Sequence, residues 1–187
     1  VYGDPEIIPI TEDCKTGGTT NPYGTSKLFV EQILKDLYKS DNTWDICILR
    51  YFNPIGAHES GLIGEEPNGI PANLMPYISK VAAGKLEYLS VFGNDYDTKD
   101  GTCVRDYIHV NDLAQAHILA MKCLRNGGKS DIFNLGNGVG FTVKEVIETA
   151  RRVTGHAIPA KEEARRAGDP STLIASSDKA KSILGWN

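Results

Sequence analysis

Apolar positions along the chain recur with two different spacings. After Asn21-Pro22, leucine and isoleucine residues follow at helical intervals, and because Asn can cap a helix and Pro suits its first turn, a helix is predicted over about 22–39. Residues 44–51 are apolar on both faces, which is typical of a parallel strand covered by helices on both sides. The pattern therefore predicts a helix followed by a central strand.

The rest of the chain alternates in the same way. Glycine- and proline-rich residues 53–70 are predicted to form a long loop. Asn111-Asp112 and Ser177 are predicted helix caps, and Thr142 with Glu145 forms a capping box. Alternating strands and helices indicate an α/β protein. The predicted helices cover 71–83, 112–125, 143–154 and 178–184, and the predicted strands cover 88–92, 104–110 and 132–135.

Composition narrows the class of protein. The 187 residues are 41% hydrophobic and 24% charged, with a formal net charge of −4, which excludes a disordered tail and does not favour a nucleic-acid partner. No apolar run is long enough to cross a membrane. The four cysteines lack zinc-site and disulfide-framework spacing, so they are expected to be reduced thiols, with Cys47 buried in its apolar strand. These features predict a cytoplasmic protein without nucleic-acid or membrane partners.

A tyrosine and a lysine at the start of the first helix are candidates for proton transfer. Tyr23 and Lys27 are four residues apart in the string NPYGTSK at 21–27, so they share one face of the helix. A free phenol has a pKa of about 10 and is a poor base at neutral pH. A nearby ammonium stabilises a phenolate, and a second positive charge in a partly dry site adds to that effect. The same spacing also occurs on ordinary solvated helices, so the motif needs support from the rest of the chain.

That support comes from longer strings in a fixed order. The NPYGTSK string resembles the active-site helix of the extended branch of the short-chain dehydrogenase/reductase superfamily. Together with it, the strings below resemble the UDP-glucose 4-epimerase family, also called the UDP-galactose 4-epimerase family, over nearly the whole chain. They are RYFNPIGAH at 50–58, NLMPY at 73–77, VFGNDY at 91–96, DGTCVRDYIHV at 100–110, FNLG at 133–136 and RRAGD at 165–169.

The resemblance implies a role for particular residues. Tyr23 and Lys27 are implied to be catalytic and, with Phe52, to contact the cofactor NAD. Arg105 and Arg166 are implied to grip the substrate diphosphate, which suits the planar fork of arginine. The full set of implied substrate contacts is Asn53, Asn73, Leu74, Ser90, Phe92, Arg105, Tyr107, Arg166 and Asp169.

The resemblance also implies a fold and an activity. The fold would be the C-terminal part of a Rossmann-like parallel sheet plus a smaller α/β substrate-binding domain. Residues 1–57 would be a partial NAD-binding portion, and residues 58–187 mainly the UDP-sugar-binding domain, with some segments returning to the Rossmann-like part. The activity would be that of an NAD-dependent isomerase of galactose metabolism, which interconverts UDP-galactose and UDP-glucose through a 4-keto intermediate. A homodimer that pairs through the Tyr23 helix is also implied.

Parts of the family pattern do not occur in this chain. The glycine-rich phosphate loop of the NAD site is absent, because GNGVG at 136–140 is interpreted as a turn. The Ser or Thr that assists the tyrosine in the family would precede Val1. The match therefore covers the middle and C-terminal part of the family, and the isolated chain is expected to bind NAD weakly and to be inactive. Leu173, at a position linked to N-acetylated sugars, leaves acceptance of those sugars open.

Simpler interpretations stay open at this stage. The chain could belong to another NAD-dependent nucleotide-sugar epimerase or dehydratase, or to a non-catalytic UDP-sugar-binding module. Arg105 beside Asp106 could form a surface ion pair, and Asn53 before Pro54 could be a turn residue. The four histidines lack metal-ligand spacing, and His109, at the end of an apolar strand, is expected to have a hydrogen-bonded structural role.

Overall fold

Helices and strands alternate along the chain in the computed structural model, which describes residues 1–187 and confirms the α/β prediction. The four helices are α1 (Pro22–Ser40), α2 (Leu74–Ala82), α3 (Val110–Arg125) and α4 (Val143–Thr154), followed by a π-helical segment at Ala180–Leu184. The eight strands are β1 (Cys47–Tyr51), β2 (Asn53–Ile55), β3 (Leu89–Phe92), β4 (Val104–His109), β5 (Asp131–Leu135), β6 (Gly140–Thr142), β7 (Ala160–Glu163) and β8 (Thr172–Leu173).

The chain passes from one sheet to another at Phe52. β1 pairs in parallel with β5, and the Phe52 N–H still donates to the Leu135 carbonyl at 3.1 Å. From Asn53 onwards the chain pairs in parallel with β4 instead, as β2. The predicted loop over 53–70 was therefore wrong at its start, because its first three residues form the strand β2 of a second sheet.

β4 is the strand around which the second sheet is organised. It pairs in parallel with β2 and with β8, and it pairs antiparallel with β6. A separate parallel pair joins β3 to β7. β4 therefore connects segments that lie far apart in the sequence.

Two apolar clusters lie in the interior. The first cluster combines α3, β5, part of β4 and the C-terminal segment: Ile108, Ala116, Ala120, Phe133, Leu135, Ala180, Leu184 and Trp186. The second cluster combines α2, β3 and α4 with Ile158: Tyr77, Ile78, Val81, Leu89, Val91, Ile147 and Ile158. Segments after residue 58 thus pack in both clusters. The boundaries of the two predicted domains stay a prediction.

The strongest helix signals in the sequence are confirmed. α1 begins at Pro22, and the Asn21 side chain accepts the Gly24 N–H at 2.8 Å. Both hydrogen bonds of the predicted capping box at Thr142 and Glu145 form, and α4 ends at Gly155 in a left-handed conformation. Local side chain to backbone hydrogen bonds specify these helix ends, which is why they can be found from short strings.

Two predicted helix starts were wrong, and one predicted side-chain cap does not form. α2 begins at Leu74 rather than at residue 71. α3 is capped by the ring of His109, whose Nδ1 accepts the Asn111 N–H at 3.2 Å, so Asn111-Asp112 lies inside the helix. The last helical segment begins after Ser177, as predicted, and the Lys181 N–H bonds the Ser177 carbonyl at 3.0 Å. The Ser177 hydroxyl does not cap it, because it donates to the carbonyl of Gly136, just after β5, at 2.6 Å and accepts the Gly136 N–H at 2.9 Å.

Cysteine burial also differs in detail from the prediction. All four cysteines are free thiols, but Cys47 is half-buried and Cys103 is the buried one. Burial nevertheless raises the pKa of the Cys47 thiol to about 11. No helix of the structure has the length and apolarity needed to cross a bilayer.

A buried carboxylate joins β4 to two neighbouring loops. Asp106 is fully buried, and its oxygens accept the N–H groups of Asn137 at 2.7 Å, Gly138 at 3.0 Å and Ala175 at 3.1 Å. Gly136 packs so closely on this carboxylate that a Cβ there would also lie 2.9 Å from Ala175. The suggested surface ion pair between Asp106 and Arg105 therefore does not form, and the backbone N–H groups of residues 136–138 already have acceptors.

Replacement of Asp106 by Ala is expected to lower the free energy of unfolding by about 3 kcal/mol, because three backbone N–H groups, of which that of Ala175 is buried, lose a carboxylate acceptor, and a hydrogen bond to a charged group contributes roughly 1.5–3 kcal/mol. Urea unfolding at neutral pH measures the change. The control is Asp97→Ala at an exposed position, with an expected change within about 0.5 kcal/mol. Equal effects of the two substitutions would show that the three hydrogen bonds carry no stability.

A buried ion pair joins α1 to β1. Arg50 donates from Nε and Nη2 to the two oxygens of Glu31 at 2.8 and 2.7 Å, and the two residues are 8% and 4% exposed. Burial by itself raises the pKa of the Glu31 carboxyl, but the hydrogen bonds and charge of Arg50 outweigh burial and hold that pKa below its usual range.

The lowered pKa of Glu31 predicts how its contribution to stability depends on pH. A carboxyl with a depressed folded-state pKa contributes stability above its unfolded pKa of about 4.3 and loses it as the pH falls through the folded value. Glu31→Gln is expected to lower the free energy of unfolding by about 3 kcal/mol at pH 7 and by progressively less below about pH 4. Urea unfolding across this range measures the effect, with exposed Glu148→Gln as control. A difference that stays constant with pH would contradict the assignment.

Candidate functional site

A cavity of about 220 Å³ opens between the second apolar cluster and the β2–β4 pair. Its wall is built by α2, β2, β3, the start of β4 and the loop that precedes β8. All nine residues predicted to contact substrate line it: Asn53, Asn73, Leu74, Ser90, Phe92, Arg105, Tyr107, Arg166 and Asp169. The chain thus brings into one wall residues that are up to 116 positions apart in the sequence.

Strand periodicity explains why β4 supplies several of these residues. Successive side chains of a strand point to opposite faces, so Cys103, Arg105 and Tyr107 share the face towards the cavity while Asp106 faces the other way. The buried Cys103 was not among the predicted site residues. The alternation with Arg105 and Tyr107 is the signal in the sequence that could have found it.

Arg105 is held in the cavity wall by its own backbone and by an acid. Its side chain is 11% exposed, and its Nη2 lies 3.6 Å from the Asp169 carboxylate. Its Nη1 donates to the Val104 carbonyl at 2.9 Å. Because a guanidinium has five N–H donors, these contacts leave others available for an anion in the cavity.

Arg166 reaches the same cavity from a different segment. Its guanidinium lies over the Phe92 ring, with the central carbon 3.9 Å from the ring centroid, and Nη1 is 3.5 Å from the Ala72 carbonyl. Stacking on an aromatic face holds the plane of an arginine while its N–H edge stays free. Two cations of fixed orientation therefore face one cavity.

The neighbouring Arg165 faces elsewhere. Its Nε donates to the Asp95 carboxylate at 2.6 Å, and its guanidinium lies 4.1 Å from the Tyr96 ring centroid. Of the two adjacent arginines, only Arg166 lines the cavity.

Polar groups complete the wall. Tyr107 is buried, and burial raises the pKa of its phenol to about 12, so it keeps its proton at neutral pH. Asn73 donates to the Glu65 carboxylate at 2.9 Å. Ser90 and Phe92 alternate along β3 with Leu89 and Val91, which belong to the second apolar cluster.

The predicted catalytic pair lies outside this cavity. Tyr23 is 73% exposed, and the Lys27 ammonium lies 5.2 Å from the Tyr23 ring centroid, so the two residues share a helix face as predicted. Neither residue lines the cavity, and neither does Phe52. The start of α1 does adjoin the cavity wall, because the Thr20 hydroxyl lies 3.5 Å from the carbonyl of Gly168, the neighbour of Asp169. The roles of these three residues stay a prediction.

No group of three or more His, Cys, Asp or Glu side chains is arranged to hold a metal ion. His109 caps α3, and its ring packs on Gly56, whose φ of +90° and lack of Cβ make room for it. The exposed Tyr23 hydroxyl and the nearby Lys27 ammonium are polar groups of the kind that can hydrogen-bond sugar hydroxyls, so their chemistry is compatible with the predicted cofactor contact.

Comparison with known proteins gives the cavity a context. Residues 1–136 match the model of the NAD dependent epimerase/dehydratase family. The chain is 57% identical over 186 residues to the UDP-glucose 4-epimerase of Bacillus subtilis and 53% identical to that of Homo sapiens. It covers 55% and 53% of the lengths of these two proteins, so it spans about half of each curated relative.

Solved structures show the same likeness in three dimensions. The UDP-glucose 4-epimerase from Bifidobacterium longum, crystallised with NAD⁺ and UDP, is 54% identical and superimposes with a TM-score of 0.94. The enzyme from Stenotrophomonas maltophila, with NAD and a formylated UDP-arabinopyranose, is 49% identical with a TM-score of 0.95. The matches cover the whole of this chain and 56% and 55% of those two chains.

Proposed function

The chain belongs to the NAD dependent epimerase/dehydratase family, and from that premise we propose that the protein carrying it interconverts UDP-glucose and UDP-galactose with bound NAD. The observation that carries the proposal is the convergence of Arg105, Arg166 and Asp169 on one cavity. The identity of two relatives, which are UDP-glucose 4-epimerases more than 50% identical over the whole chain, supports the same substrate.

The two guanidiniums are assigned to the diphosphate of the substrate. Arg105 and Arg166 come from β4 and from the loop before β8, so an anion between them is bound from two directions. Charge-assisted hydrogen bonds from arginine to phosphate are about twice as strong as neutral ones. Binding energy from this remote group holds the nucleotide while the sugar reacts.

The remaining wall is assigned to the uridine and to the sugar. Asp169 accepts hydrogen bonds from ribose hydroxyls, and the β3 segment with Ser90 and Phe92 offers its edge to the uracil. The amides of Asn53 and Asn73 hydrogen-bond oxygens of the diphosphate or hexose, with Leu74 alongside, and Tyr107 completes the pocket. Few contacts to the hexose are expected, because the ring must turn within the site.

Tyr23 and Lys27 are assigned to the chemical step. Bound NAD supplies the group that accepts and returns the C4 hydride. The Tyr23 phenolate takes the proton of the sugar 4-hydroxyl and becomes the phenol, which later gives that proton back. The Lys27 ammonium beside the ring stabilises the phenolate and holds a ribose hydroxyl. The 4-keto sugar turns between the two steps while Arg105 and Arg166 keep the UDP in place.

We also propose that two copies of the protein pair through α1 in the cytoplasm. α1 exposes Phe29 by 61%, Val30 by 52% and Ile33 by 65%, which supports an apolar contact surface. Free thiols at all four cysteines support a reducing compartment.

Substitution of either guanidinium is expected to weaken UDP binding. Arg105→Ala and Arg166→Ala each remove charged hydrogen bonds worth roughly 1.5–3 kcal/mol, so the Kd for UDP is expected to rise at least about tenfold. Isothermal titration calorimetry measures it. The loss is expected to be smaller for uridine, which has no diphosphate. Arg152→Ala, on the exposed surface of α4, is the control. An unchanged Kd for UDP in both cavity variants would overturn the diphosphate assignment.

Removal of the Tyr23 hydroxyl is expected to slow the reaction strongly without changing the affinity for UDP. In the protein carrying this chain, Tyr23→Phe is expected to lower kcat for UDP-galactose epimerisation by about 10²–10⁴-fold, since general acid–base catalysis contributes that much. A coupled UDP-glucose dehydrogenase assay measures kcat, and Tyr38→Phe on the same helix is the matched control.

The same assay on the unmodified protein distinguishes the proposed function from the two alternative functions. UDP binding without turnover of any UDP-sugar would indicate a non-catalytic module. Turnover of a different nucleotide sugar, with UDP-galactose left unchanged, would indicate another enzyme of the same family.

A further inference from the structure

The only fully buried residue of α1 is a glutamate. Of the 19 residues of this helix, Glu31 alone is buried, at 4% exposure. The apolar residues Phe29 and Ile33 are mostly exposed, and no apolar residue of the helix is fully buried against the rest of the chain. Within this chain, polar contacts therefore contribute to the orientation of α1 about its own axis.

These polar contacts lie at two places along α1. At its start, the Thr19 and Thr25 hydroxyls lie 2.7 Å apart, and Thr20 lies beside Gly168. Further along, Glu31 binds Arg50 of β1 through two hydrogen bonds of 2.8 and 2.7 Å. A carboxylate held by both arms of a guanidinium has a defined plane and direction, unlike an apolar contact.

Arg50 is itself held in place by further contacts. Its Nη1 donates to the Tyr2 hydroxyl at 2.7 Å, and its guanidinium carbon lies 4.7 Å from the Tyr2 ring centroid. The Tyr2 hydroxyl donates to Asn134 Oδ1 at 2.6 Å, and Asn134 Nδ2 donates to the Ile10 carbonyl at 2.9 Å. Glu31 therefore binds a group that cannot turn freely.

The helical positions connect this pair to the predicted catalytic residues. Tyr23, Lys27 and Glu31 follow one another at four-residue intervals, so they lie along one side of α1, with Glu31 about 12 Å along the axis from Tyr23. On the other side of the pair, Arg50 is three residues before Asn53, which lines the cavity. The ion pair thus connects the helix that carries Tyr23 to the strand that leads into the cavity wall.

We propose that Glu31 and Arg50 are positioning residues that fix the rotation of α1 and so the direction in which Tyr23 and Lys27 face the substrate. The proposal rests on the proposed function, because it assigns the chemical step to Tyr23. It differs from a purely stabilising role, since a buried ion pair can often be replaced by apolar residues without loss of stability.

The experiment uses the protein carrying this chain with the double substitution Glu31→Met and Arg50→Met. We expect the Kd for UDP to stay within twofold, KM to change little and kcat to fall at least tenfold. Glu148→Gln, at an exposed ion pair of α4, is the control and is expected to leave all three values unchanged. Unchanged kcat together with unchanged UDP binding would overturn the proposal.

A second variant covers the case in which the double variant does not fold. Arg50→Lys keeps the positive charge but loses the fork that binds both oxygens of Glu31, so kcat is expected to fall while the Kd for UDP stays within twofold. An equal loss of UDP binding and of kcat would indicate general destabilisation and would contradict a positioning role.

A third readout is independent of catalysis and separates this proposal from the proposed function. In protein labelled with 3-fluorotyrosine, the ¹⁹F resonance of Tyr23, assigned by its loss in Tyr23→Phe, is expected to shift in Arg50→Lys, whereas that of Tyr107 in the cavity stays. A Tyr23 resonance that does not move would overturn the positioning role. Absence of turnover in the unmodified protein would overturn the proposed function instead.

Discussion

The buried carboxylate of Asp106 is the constraint on which the cavity depends. It accepts three backbone N–H groups from two separate loops, and it does so from the middle of β4. Because side chains alternate along a strand, an Asp106 fixed on one face requires Arg105 and Tyr107 to face the other. The same hydrogen bonds bring the segment around Ala175 beside β4, where β8 pairs with Arg105 and places the loop that carries Arg166. The buried Asp106 carboxylate thus decides which face of β4 carries the Arg105 guanidinium.

Features set by neighbours in the sequence could be predicted, and features set by distant partners could not. The start of α1 and the capping box of α4 depend on groups within three residues of each other. The strand at Asn53–Ile55 exists only because β4 lies beside it, and Ser177 does not cap the last helical segment because Gly136 takes its hydroxyl. A single sequence shows the donor and the acceptor in these cases but not that they meet.

The same distinction between local and distant interactions applies to the residues of the candidate site. Family strings identified nine residues of the cavity wall, and strand alternation through Arg105 and Tyr107 would have added Cys103. Spacing alone placed Tyr23 and Lys27 on one helix face, and that is where they lie. It could not place that face relative to the cavity, because no local rule sets the rotation of a helix whose apolar residues are exposed. The burial of Glu31, the one fully buried residue of α1, is visible only in the structure, since a glutamate in a helix normally faces solvent.

The two parts of the proposed site are therefore held by different physical means. The cavity wall is formed by hydrogen-bonded strands and an apolar cluster, so its arginines keep their geometry through many cooperating contacts. Within this chain, Glu31 is the one fully buried residue of α1, so the placement of the helix depends strongly on the ion pair with Arg50 and on the polar contacts at its start. In the proposed reaction, which retains a nucleotide while a sugar turns, this division is useful, because anchoring and chemistry then depend on separate residues. Loss of the ion pair is therefore expected to change the chemical step more than the anchoring of the nucleotide, whereas loss of the Asp106 contacts is expected to change the anchoring, since β4 carries Arg105.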